Sequence, residues 1–267
     1  MGWRAEERVH ARAVPATTLG AALAAQVAPA VTALPGIRLR FFPRLSGRGV
    51  PGHVALTFDD GPDPASTPHF LETLAAYRTR ATFFLLGSML NRAPELGLDL
   101  VAAGHEVAVH GWSHHNLLLR GPHATYRDLA RTQELIRAVT GRPPRFFRPP
   151  YGVFSAAALM AARRLGLTPV LWTCWGRDWT RTATRSSVLR TLRSGLTDGG
   201  TVLLHDSDCT SAPGAWRASL AALPHLLDEC RRRGWRVGPL GEHGAGRRET
   251  PARRARSGFP GRLEASG

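Results

Sequence analysis

From about residue 54 to about residue 240, short apolar runs alternate with longer stretches of helical spacing. This alternation constrains the fold more than any other feature of the 267-residue chain. The strand-like runs are residues 54–58, 81–86, 106–109, 146–148, 169–174, 201–204 and 235–237. They are rich in Val, Leu, Phe and Trp and are often continuously apolar, as strands covered on both faces must be. Between them, Tyr126, Leu129, Gln133, Ile136 and Val139 fall along one helical stripe, with Arg127, Asp128, Arg131 and Glu134 largely outside it. Similar stretches are predicted near 67–77, 94–103, 155–165, 187–196 and 216–233. Gly104, Gly141, Gly166, Gly199 and Gly234 stand where those helices should end, just before the next strand.

Repeated strand–helix units imply parallel strands joined by right-handed crossovers. Seven candidate strands fit one α/β barrel better than two domains, with a doubly wound open sheet as the alternative. Residues 1–52 read as an N-terminal segment with a short helix and a connector, and 53–240 as the barrel domain. Residues 241–267 read as a disordered Arg-rich tail, because they hold few large apolar groups.

The formal charge is +15, and every Lys+Arg residue is Arg. Such a charge attracts polyanions, but no nucleic-acid-binding motif accompanies it, so nucleic acid is not an expected partner. The Ala-rich stretch 17–34 is interrupted by Gln26 and Pro29 and falls short of the roughly twenty apolar residues that span a bilayer. Glu6 and Glu7 stand where a signal peptide would carry its positive flank. Neither stable membrane insertion nor a recognisable export signal is therefore expected, and no pattern specifies an oligomeric state. Cys174, Cys209 and Cys230, with no CxxC spacing, suggest free thiols rather than a disulfide framework.

Five polar clusters follow the strand-like runs. Asp59 and Asp60 emerge from the first run into Gly61-Pro62; adjacent carboxylates on an apolar strand are costly unless a cation awaits them. Alone, the pair would equally suit an ordinary Asp-Gly turn. His110 and His114 follow the third run, and their spacing would place both imidazoles on one side of a helical turn. Two imidazoles and a carboxylate bind zinc or a similar divalent ion and leave positions open. Arg148-Pro149-Pro150-Tyr151-Gly152, then Trp175-Gly176-Arg177-Asp178-Trp179, then Leu203-Leu204-His205-Asp206 complete the set. All five lie at the C-terminal ends of predicted parallel strands, the face where such barrels hold their active sites.

With these residues in view, the chain resembles the polysaccharide deacetylases of the NodB-homology type, carbohydrate esterase family 4, over about residues 54–240. Thr57–Pro62 reads TFDDGP and Arg148–Gly152 reads RPPYG, both intact, and all five motifs occur in the family's order. Gly111 departs from the Ser or Thr that usually follows the first His. The resemblance implies a distorted (β/α)7 barrel and a hydrolase acting on an acetylated polysaccharide or oligosaccharide. It implies that Asp60, His110 and His114 hold one divalent ion, zinc ahead of cobalt or another metal. It makes Asp59 the general base, paired with Arg148, and His205 the general acid. It also gives Asp178 the task of orienting the Arg148 and His205 region, has Trp179 and Leu203 line the acetyl pocket, and gives the Tyr151 amide a share of the oxyanion. N-deacetylation of chitin-like or peptidoglycan N-acetylglucosamine is the expected reaction. The rivals are an O-acetyl esterase acting on a glycan such as xylan, a non-catalytic carbohydrate-binding relative, and an Fe(II) oxygenase with the same ligand types.

Overall fold

Eight parallel strands build the sheet: β1 (His53–Asp59), β2 (Thr82–Leu85), β3 (Glu106–Val109), β4 (Phe146–Phe147), β5 (Thr168–Pro169), β6 (Cys174–Trp175), β7 (Thr201–His205) and β8 (Arg236–Gly238). The computed structural model describes residues 16–244. The strand order is β5-β4-β3-β2-β1-β7-β6, with β8 paired to β1. Hydrophobic periodicity places the outer helices well: those at Thr67–Ala76, Pro94–Ala102, Pro122–Thr140, Ala156–Arg164, Arg185–Gly195 and Trp216–Arg232 lie at the expected positions. A short helix at Gly87–Arg92 was not expected.

Period-two alternation divides each strand between two environments. Val54, Leu56 and Phe58 of β1, Phe83 and Leu85 of β2, and Val202 and Leu204 of β7 join the large core beneath the helices. Ala55, Phe84, Ala108, Phe146, Val170 and Leu240 form a second, smaller cluster, which fills the barrel interior. Thr57, Thr82 and Thr201 share the inward parity, and their hydroxyls satisfy interior backbone: Thr57 Oγ1 donates to Val202 O at 2.6 Å, and Leu240 N donates to Thr82 Oγ1 at 2.9 Å.

The single strand expected over 169–174 is two strands, because the chain there crosses the barrel seam. β5 and β6 lie at opposite ends of the strand order yet are joined directly by residues 170–173. The ladder along this crossing is patched from elsewhere. Val170 N donates to Phe147 O at 2.9 Å, Leu171 N to Leu45 O at 2.7 Å, and Thr173 N to Thr201 O at 2.9 Å. The carbonyls of Leu171 and Trp172 accept from the Arg148 and Arg38 guanidiniums, at 2.9 and 3.0 Å. Two buried arginines and the 42–47 connector thus stand in for a missing strand.

The N-terminal segment is more than one short helix: it runs through helices Ala16–Val27 and Pro35–Phe41 with a 3-10 turn, Ala28–Ala33, between them. Gln26 ties it to the barrel, donating to Arg120 O at 3.2 Å and accepting from Ala157 N at 3.2 Å. Among the described residues no single helix is long and apolar enough to cross a membrane. The expected tail lies outside the described residues from 245 onward, but 241–244 are packed: His243 is buried and Gly241 N donates to Glu106 Oε2 at 3.0 Å.

Candidate active site

The inward parity that fills the barrel also aims the chemistry. Asp59 continues the series Ala55, Thr57; His110 continues Glu106, Ala108; Arg148 continues Phe146; and Leu203 and His205 continue Thr201. All five point into the interior where the strands end, and all but Arg148 line a cavity of about 250 Å³. Asp59, Asp60, His110, His114, Tyr151, Trp179, Leu203 and His205 line it, joined by Trp172, Trp175, Thr210 and Ser211.

Arg148 is fully buried beneath the cavity. Its Nη1 donates to Asp59 Oδ1 at 2.6 Å and to Thr57 Oγ1 at 2.8 Å, and its guanidinium lies 4.0 Å from the Phe84 ring centroid. A buried arginine is tolerated only with partners of this quality, and its consequence here is a fixed Asp59 carboxylate. The other oxygen, Oδ2, faces His110 Nε2 at 3.8 Å.

His110 Nδ1 lies 2.9 Å from Arg148 O. A carbonyl only accepts, so Nδ1 carries the proton and Nε2 presents a lone pair, the tautomer suited to metal ligation. Asp60 Oδ1 lies 3.4 Å from His110 Nε2 and 3.5 Å from His114 Nε2. That oxygen is buried and has no hydrogen-bond partner. Orphaned buried carboxylate oxygens are rare and call for an explanation. One ligand atom from each of Asp60, His110 and His114 lies within 4.8 Å of the others, so one O and two N donors suit zinc or another divalent ion.

The route by which the histidines converge differs from expectation. Residues 110–116 are not helical. Gly111 has φ +99° and His114 φ +56°, so the chain doubles back in a loop. Gly87 N and Ser88 N hold that loop by donating to Gly111 O and Trp112 O, and Asp128 Oδ1 accepts from Trp112 N at 2.8 Å. Gly111, the departure from the usual Ser or Thr, suits the loop: its φ favours glycine, and a Cβ would sit 3.1 Å from Asp128 Oδ1.

On the opposite wall, His205 Nδ1 lies 2.9 Å from Asp178 Oδ1, and its backbone N–H donates to Asp178 Oδ2 at 2.8 Å. Ser219 Oγ donates to the same oxygen. Burial alone would lower the His205 pKa, but the Asp178 carboxylate, with Asp60 and Asp59 nearby, raises it well above 6.5. Asp178 is also buried, and His205 holds it below the ordinary carboxylate range. Burial would raise the Asp60 pKa, but its histidine neighbours, the charged His205 among them, hold it well below that range. Burial and His110 push His114 down to about 4. Asp178 reaches His205 but, among the described residues, makes no hydrogen bond or ion pair with Arg148; that half of its expected role has no support.

Three residues of the cavity carry no signal in the sequence. Trp172 sits in the seam crossing, where an apolar run suggests only core. Thr210 and Ser211 belong to a loop with no motif spacing. Trp172, Trp175 and Trp179 make a continuous aromatic wall, with centroids 5.7 and 4.9 Å apart, that ends against His205. Tyr151, at φ +61°, packs edge-on against His114 at 4.5 Å. His115 is exposed and takes no part in the cavity.

Comparison with known proteins shows the family and the fold. A family model described as "Polysaccharide deacetylase" matches residues 47–170. The chain is 36% identical over 198 residues to a chitooligosaccharide deacetylase of Bradyrhizobium sp. (strain ANU 289), covering 70% of this chain and 88% of that protein. Among solved structures, peptidoglycan deacetylase PdaC from Bacillus subtilis matches with TM-score 0.64 and 29% identity, over 72% of this chain and 89% of that one. A family 4 carbohydrate esterase from Streptomyces lividans, in complex with acetate, matches with TM-score 0.63 and 33% identity, over 70% of this chain and 92% of that one.

Proposed function

Because this chain belongs to the polysaccharide deacetylase family, carbohydrate esterase family 4, we propose that it hydrolyses the N-acetyl groups of N-acetylglucosamine units in chitin-like oligomers or peptidoglycan. The observation that carries the reading is the meeting, in one cavity, of three parts. They are the Asp60–His110–His114 cluster with its orphaned oxygen, the Arg148-held Asp59, and the Asp178-held His205.

An amide needs an activated water, a stabilised oxyanion and a proton for its leaving nitrogen. A divalent ion held by Asp60, His110 and His114 would supply Lewis acidity, lowering the pKa of water toward about 7 and polarising the acetyl carbonyl. Asp59 takes the proton of the attacking water as its oxygen bonds to the carbonyl carbon; Arg148 fixes the geometry of that transfer. The Tyr151 amide offers a hydrogen bond to the oxyanion. His205, kept protonated by Asp178, gives its Nε2 proton to the nitrogen as the C–N bond breaks, releasing acetate and a free amine. Trp179 and Leu203 line the cavity where the acetyl methyl would sit. A binding-only relative has no use for a base and an acid in opposite protonation states, and this chain keeps both.

Acetate release from chito-oligosaccharides and peptidoglycan fragments, with acetylated xylan as comparison, tests the proposal. Activity should vanish on chelation and return with zinc or cobalt. Asp59→Asn should retain metal and lose about 10²–10⁴-fold in kcat. A near-normal rate in Asp59→Asn would sink the mechanism. Zinc-loaded protein that releases acetate only from xylan would replace the amidase reading with the esterase one.

A further inference from the structure

We propose that Thr210 is a positioning residue that keeps the Asp60 carboxylate on the metal through one oxygen only. The inference rests on the reading that Asp60, His110 and His114 hold a divalent ion, and it concerns a loop outside the five motifs. The two oxygens of Asp60 have different surroundings. Oδ1 points at both histidine Nε2 atoms and is otherwise unpartnered, whereas Oδ2 accepts from Thr210 Oγ1 at 2.5 Å. A carboxylate whose second oxygen is occupied by a hydroxyl presents one donor atom, which leaves neighbouring coordination positions free for water and the acetyl oxygen.

Asp60 needs the help. Its φ of +81° is a conformation that non-glycine residues seldom adopt, so local backbone preference does not hold the carboxylate in place. The restraint comes from the loop after β7, the strand paired with β1. Cys209 Sγ donates to Asp60 O at 3.4 Å, Ser66 Oγ donates to Asp206 O at 2.5 Å, and Ser207 Oγ donates to Asp63 Oδ2 at 3.3 Å. Two residues beyond Thr210, Ala212 N donates to Trp179 O at 3.0 Å. The loop is therefore stitched down on both sides of Thr210 without using its hydroxyl. Removing that hydroxyl should alter Asp60 and leave the loop where it is.

In Thr210→Val a methyl replaces the hydroxyl against Oδ2, and the carboxylate loses its orientation or turns its second oxygen toward the ion. Thr210→Ser keeps the hydrogen bond. The experiment measures zinc affinity by competition with a chromogenic chelator, the visible spectrum of the cobalt-substituted protein, and thermal unfolding of the metal-free protein. Thr210→Val should bind zinc 10–100-fold more weakly and change the cobalt spectrum, with metal-free unfolding unchanged and Thr210→Ser close to wild type. Equal zinc affinity and identical cobalt spectra for Thr210→Val and wild type would overturn the proposal, even if acetate release is intact. Thr210-dependent zinc binding with no acetate released from any glycan would uphold it while defeating the proposed function.

Discussion

Two pairs of histidines, buried but for the half-buried His114, sit at opposite ends of the barrel, and their difference shows what separates a structural cluster from a candidate site. At the closed end, His53 Nδ1 lies 2.8 Å from His243 Nδ1, and His243 Nε2 lies 3.0 Å from Gly47 O. The carbonyl fixes the proton on His243 Nε2, so its Nδ1 accepts and His53 Nδ1 donates. Those three polar atoms are all engaged, and the pair fastens the connector, the start of β1 and the chain after β8. At the open end, His110 is pinned through Nδ1, but its Nε2 points with that of His114 at a carboxylate oxygen that nothing else satisfies. At the closed end the facing ring nitrogens satisfy one another and hold the fold; at the open end two ring nitrogens and an unpartnered oxygen converge, an arrangement suited to a ligand.

The comparison can be broken most forcefully at the open end. His110→Ala should abolish zinc retention and lower acetate release by more than about a thousandfold, since both the ion and its ordering of the water are lost. Its metal-free stability should change far less than its activity. Retained zinc with near-normal turnover would mean that the open pair is no more a site than the closed one.

The converse experiment is smaller in effect and opposite in kind. His243→Ala leaves a cavity, an unpaired His53 and a bare Gly47 carbonyl, and should destabilise the fold by about 3 kcal/mol. Zinc affinity and kcat, measured below the lowered melting temperature, should stay at wild-type values. A selective loss of zinc affinity would show that the two ends are coupled.

The smallest effect is in pH dependence. Burial, then His53, lowers the His243 pKa to about 4; burial, then Arg236, lowers that of His53 against an opposing Glu242. Both rings are neutral when folded and titrate near 6.5 when unfolded. The unfolded chain thus binds more protons below pH 6.5. Their contribution is present above that value and lost as pH falls toward 4. Melting of the metal-free protein between pH 7.5 and 5 should show this loss, and His243→Gln should show less of it. Equal slopes would assign acid sensitivity elsewhere, with His114, itself pushed to about 4, the first candidate.

The site was readable in the sequence to the extent that strands were. A run such as 54–58 announces a strand buried on both faces, and Asp59, His110, Arg148 and His205 stand out as polar residues where such runs end; which face each takes is not legible in a continuously apolar run. Spacing fails where the backbone leaves regular geometry. Helical spacing pairs His110 with His114, but their approach is made by a loop with positive φ at Gly111 and His114. The run 169–174 looked like one strand because apolar content cannot show where a barrel closes. Trp172 was hidden in it for the same reason.

The sequence by itself determined the alternation of elements and the polar clusters at the ends of the strand-like runs, since these depend on local periodicity and on residue type. Only the tertiary structure decided that β5 and β6 are the two sides of a seam, and that Arg38 and Arg148 supply its missing hydrogen bonds. It alone decided that Asp60 is steadied by Thr210, 150 residues away. Such contacts join groups that no spacing rule relates; they exist because closing the barrel brings distant loops to one rim, where each buried polar atom must find whatever partner lies within reach.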